Sequence, residues 1–106
     1  MSRKRKETLE TQIQLEKKRF EEESRAVKAR KRGVVARLEG INRSLNTESG
    51  IYENILPLAE IGAMQMTEVL RQRNKVEQLD SEVQQAGADL EAVSYTHLTL
   101  PTTIEV

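Results

Sequence analysis

Val34-Val35-Ala36-Arg37-Leu38-Glu39-Gly40-Ile41-Asn42-Arg43-Ser44-Leu45 decides the fold. Its apolar residues at 34, 38, 41 and 45 step by four, three and four, and mostly polar residues fill the gaps. Helical geometry gathers such positions on one narrow stripe, the pattern of a helix that packs lengthwise on another helix. Followed outward, the stripe becomes a ladder of seven-residue steps. Its rungs are Ile13, Phe20, Val27, Val34, Ile41, Glu48, Ile55, Gly62, Val69, Val76, Val83 and Leu90. Only Glu48 and Gly62 interrupt it with non-apolar residues. A repeat held in phase this long predicts an all-α, coiled-coil chain.

A second seam, four residues after each rung, includes Leu38, Leu45, Tyr52, Ala59 and Met66, but also Lys17, Lys31, Arg73 and Asp80. Both seams are apolar only from Val34 to about Met66, so the tightest packing is expected there. Met64 and Met66 read as gap-filling residues within it. The composition fits. Charged residues make up 32% of the 106, aromatics 3%, and the mean hydropathy is −0.63, too polar for a compact globular core. The stripe then needs another helix as partner, from a second copy or from a segment of the same chain.

Two breaker clusters, Asn46-Thr47-Glu48-Ser49-Gly50 and Pro57, allow two readings. One is a long helix over residues 7–92, kinked at Pro57. The other is an antiparallel hairpin with its turn near 46–57. The unbroken phase across both clusters favours the long helix. Met1–Lys6 reads as a basic, disordered lead. No apolar run approaches the roughly 18 residues of a membrane span, and no hydrophobic segment of a signal peptide follows the basic start.

Residues 93–106 change character abruptly, losing both the heptad and the charge. Val93-Ser94-Tyr95-Thr96-His97-Leu98-Thr99-Leu100-Pro101-Thr102 matches, without a mismatch, one translated frame of the mosaic-end adapter of tagmentation sequencing libraries. The match implies that the tail is an artefact and that the native sequence ceases to be visible at residue 92. His97, the only histidine, then has no biological role.

Elsewhere the chemistry is sparse. There is no cysteine, no phosphate-binding glycine loop, no metal-ligand spacing and no nucleophile paired with a base. The reading is a non-enzymatic segment without cofactor or metal. One patch stands out, Arg25, Lys28, Arg30, Lys31 and Arg32, in a half that is strongly basic. Residues 1–37 hold thirteen Lys/Arg and six Asp/Glu, against four and eleven in 38–106. Such a patch is a candidate site for an anionic partner such as nucleic acid, although Gly33 and the absence of a base-reading residue pattern favour a solvated flank.

Residues 21–45, Glu-Glu-Glu-Ser-Arg-Ala-Val-Lys-Ala-Arg-Lys-Arg-Gly-Val-Val-Ala-Arg-Leu-Glu-Gly-Ile-Asn-Arg-Ser-Leu, resemble a known pattern. The pattern is the coiled coil that precedes LytM-type peptidase domains in bacterial murein hydrolase activators. There a mixed-charge helix leads into a stretch matched by Val34 to Leu45. The resemblance extends over about 7–91. It implies a spacer and docking arm in the periplasm or cell envelope that binds division proteins. It also implies a downstream LytM-type domain, active or degenerate, that acts in peptidoglycan remodelling.

Overall fold

In a computed structural model, which describes residues 3–98, the chain forms two helices, α1 (Arg3–Glu60) and α2 (Met66–Leu98). The all-α expectation holds. The single helix running to residue 92 does not, because the chain turns at 61–65. The turn also lies beyond the 46–57 window expected for a hairpin.

Gly62 makes the turn. Its φ of +76° is a left-handed conformation that carries little cost only without a Cβ. The Gly62 N–H donates to the Ala59 carbonyl at 3.1 Å, and the Ala63 N–H to the Leu58 carbonyl at 2.8 Å. These two bonds form a Schellman motif, which satisfies carbonyls left over at the end of α1. Gly62 was a rung of the ladder, so the residue that ends the helix sat where a seam residue was expected.

The two breaker clusters lie inside α1. Pro57 falls in the last turn, where only one upstream carbonyl loses its donor, and its own carbonyl accepts from the Ile61 N–H at 3.2 Å. Thr47 donates its hydroxyl back to the Arg43 carbonyl at 3.0 Å, so a residue read as a breaker is satisfied within the helix. The helix also starts early. Arg3 to Lys6, expected as a disordered lead, are helical, with Arg3 placed 3.8 Å from Glu7.

Gly33–Leu90 forms one compact unit, an antiparallel pair made of residues 33–60 of α1, the turn, and residues 66–90 of α2. Its direction follows from the cross-helix partners: Glu48 meets Gln72 and Lys75, and Arg37, farther from the turn, meets Asp89. The second unit combines residues 3–32 with 91–98, and in it Val27 and Val93 are both buried. Helix α2 thus continues through the boundary at 92–93. Val93 lies three residues after Leu90, a spacing that repeats along α2, so an apolar residue there is buried whatever its origin. Residues 99–106 of the expected tail lie outside the described residues.

Candidate interaction surfaces

Along α1 the expected seams, rung and rung plus four, are protected at Phe20, Ser24, Val27, Val34, Leu38, Ile41, Leu45, Glu48, Tyr52, Ile55 and Ala59, and Val35, Gly40, Ser49, Gly50 and Leu56 beside them are half-buried as well. Lys31 is the exposed exception in the run. On α2 a periodic set is protected, Val69, Gln72, Val76, Leu79, Val83, Ala86, Leu90 and Val93, with Asp89 and Ser94 half-buried beside it. Here the rungs hold, but their companions come three residues later, not four. Arg73 and Asp80, expected in the seam, are exposed, while Gly87 is half-buried. The ladder passes from one of the two heptad seam positions to the other across the turn, a change that an unbroken seven-residue count conceals.

Burial is deepest on α2. Val69 is 1% exposed and Ala86 0%. Enclosing a valine side chain contributes roughly 1.5–3 kcal/mol. In the stretch expected to pack tightest, Val34 to Met66, the seam positions as far as Ala59 are half-buried and none is fully buried, and Met66 is 49% exposed because it opens α2 beside the turn. Among the apolar rungs of the ladder, Ile13 is the one left uncovered, at 49% exposure.

Glu48, the one charged rung, is the hub of a polar layer. Its side chain is 17% exposed, and Lys75 Nζ lies 2.9 Å from Oε1. Gln72 Nε2 donates to Oε2 and also, at 3.0 Å, to the Glu48 carbonyl. The Gln72 bond first, and then Lys75, hold the Glu48 carboxyl below its ordinary pKa. A second clasp joins Arg37 to Asp89, whose other oxygen accepts from Gln85 at 3.1 Å. The bond from Arg37, followed by that from Gln85, lowers the Asp89 pKa. Gln72, Lys75 and Asp89 escaped the sequence reading. A signal for Gln72 existed, since an acidic rung needs a polar neighbour on the facing seam.

The basic residues Arg25, Lys28, Arg30, Lys31 and Arg32 are all exposed on α1. None is in an ion pair among the described residues, Arg25 with Glu21 four residues before it included. Arg25 and Lys28 border a shallow open groove with Phe20, Glu21 and Ser24. Exposed apolar side chains gather around the turn, where Ile61 is 78% exposed, Leu70 47% and Leu58 39%.

Among the described residues no group of His, Cys, Asp and Glu is placed to hold a metal ion, and no helix is long and apolar enough to cross a membrane. Comparison with known proteins returns no matching family model, no matching curated protein and no matching solved structure.

Proposed function

We propose that residues 7–92 are a non-catalytic coiled-coil arm, a spacer and docking element of a larger protein. The observation that carries this reading is the distribution of burial. Protection follows a three-four seam through the hairpin, while the faces around it stay charged and exposed. Such an element transmits position and presents surface; it gathers no set of reactive groups.

The resemblance of residues 21–45 to murein hydrolase activators gives the arm a context. In that context it belongs to an envelope protein, docks on division proteins and carries a LytM-type domain after residue 92. The adapter match of residues 93–102 is part of the same proposal, because it puts the native continuation of the gene after codon 92. Sequencing the native locus through codon 92 and upstream of Met1 tests all three parts. The expected result is a divergent sequence after residue 92 that leads to a LytM-type domain, with a hydrophobic export signal upstream. A stop codon soon after codon 92, with no upstream extension, removes the envelope reading. Native codons that encode residues 93–102 as they stand remove the artefact.

A second reading rests on the basic patch. Arg25, Lys28, Arg30, Lys31 and Arg32 are exposed and unpaired with carboxylates among the described residues, as a contact with nucleic-acid phosphates requires. Binding to duplex DNA that falls steeply with salt, and weakens in the Lys28→Ala/Arg30→Ala/Lys31→Ala/Arg32→Ala variant, supports it. Absence of binding at about 0.1 M salt removes it.

A further inference from the structure

Every residue from 3 to 19 of α1 is exposed, and the large apolar side chains Leu9, Ile13 and Leu15 stand 47%, 49% and 60% exposed. Within the same unit, α2 contributes only residues 91–98, and the buried position on α1 is Val27. Leu9 and Ile13, four residues apart on one face of α1, therefore have no intramolecular partner among the described residues. What covers them is indicated by charge.

The stretch carries a cationic block, Arg3-Lys4-Arg5-Lys6, and an anionic block, Glu21-Glu22-Glu23, with Ile13 close to midway between them. Among the described residues the only ion pair these blocks make is the local one from Arg3 to Glu7. A parallel copy would set like block against like block. An antiparallel copy sets each cationic block beside the other copy's anionic block, and twofold symmetry makes the match twice. The same alignment sets Glu7 opposite Arg19, while Glu10 falls opposite Glu16 with Lys17 beside it. It places Leu9 of one copy opposite Lys17 of the other, about one helical turn from Phe20, with the two Ile13 side chains near the axis.

We propose that residues 3–24 of α1 are a self-association surface on which a second copy of this chain pairs antiparallel about Ile13. The proposal does not depend on the envelope reading. It follows from an exposed apolar face flanked by charge blocks that complement their own reverse.

Sedimentation equilibrium of the full 106-residue chain tests it, with circular dichroism to verify that each variant keeps its helices. At low salt a monomer–dimer equilibrium is expected, weakened about tenfold or more in high salt. Lys4→Glu/Arg5→Glu/Lys6→Glu makes both blocks acidic, and Glu21→Lys/Glu22→Lys/Glu23→Lys makes both basic. Each variant alone should be monomeric, and an equimolar mixture should form heterodimers. Ile13→Asp should abolish association, while Ile61→Asp at the turn should leave it intact.

Three outcomes overturn the proposal. The first is a chain that stays monomeric to roughly 0.5 mM at about 20 mM salt. The second is a dimer that ignores the charge reversals or is lost with Ile61→Asp, which moves the contact to the turn. The third is a chain joined after residue 92 to its native continuation that no longer associates, which makes the occupant of that face its own extended α2.

Discussion

Helix α1 contains two regions drawn from one heptad ladder with opposite outcomes. Between Val34 and Ala59 both seams are apolar apart from Glu48, and all of these positions are at least half-buried. Between Arg3 and Arg19 the rung Ile13 is flanked by Glu10 and Lys17, and nothing is covered. The rung alone therefore does not secure an intramolecular partner. Two apolar positions per heptad, with a facing segment to receive them, do so. In the first region Glu48 is admitted only because Gln72 and Lys75 receive its carboxylate.

The comparison breaks most completely at Val69. Val69→Asp places a carboxylate where 1% of the side chain is exposed, and a loss of at least about 3 kcal/mol in thermal or urea unfolding is expected. Ile13→Asp, on the uncovered stretch, should change unfolding of the hairpin by less than about 0.5 kcal/mol in dilute solution. Equal losses at the two sites would show that residues 3–19 are covered intramolecularly after all. Ala86→Leu should cost about 1–3 kcal/mol, since a 0% exposed position has no room for the added atoms.

Two glycines sharpen the contrast between turn and helix. Gly62→Ala should cost roughly 1–2 kcal/mol, because a Cβ is disfavoured at φ +76°. Gly33→Ala should stabilise by about 0.5–1 kcal/mol, since a Cβ there meets nothing within 4 Å and alanine is the better helix former. Circular-dichroism melts of the two variants should move in opposite directions.

A smaller effect comes from acid. Glu48 and Asp89 have lowered pKa values in the folded hairpin. As the pH falls, their counterparts in the unfolded chain take up protons first, so protonation favours unfolding. Their contribution is fully present above the ordinary carboxylate range near 4 and is lost as the pH falls through the lower folded values. The melting temperature of the wild type should drop across this window. A Glu48→Gln/Asp89→Asn variant, already without the two charges, should show a smaller drop.

Much of this was legible in the sequence. The α1 seam from Phe20 to Ala59, and the rungs Val69, Val76, Val83 and Leu90, follow from apolar spacing alone. The place of the turn did not. Asn46 to Gly50 carries stronger local turn chemistry than Ile61 to Gln65, but in the structure Thr47 is bonded within its helix and Glu48 across to α2. Tertiary partners overrode local propensity. Gly62 kept the count of seven intact through the turn and so disguised the change of companion from four residues later to three. The anionic and cationic blocks of residues 3–24 were visible as composition, but their meaning waited on the finding that this part of α1 lies open.

The antiparallel course of Gly33–Leu90 also has a mechanical consequence. Residues 33 and 90 are the two ends of one hairpin, both on the side away from Gly62. Tension applied between them loads the seam one layer at a time, as in opening a zipper, not all layers at once as in shear. The Arg37–Asp89 clasp would part first, the Glu48 layer would follow as an internal stop, and Val69 near the turn would hold last.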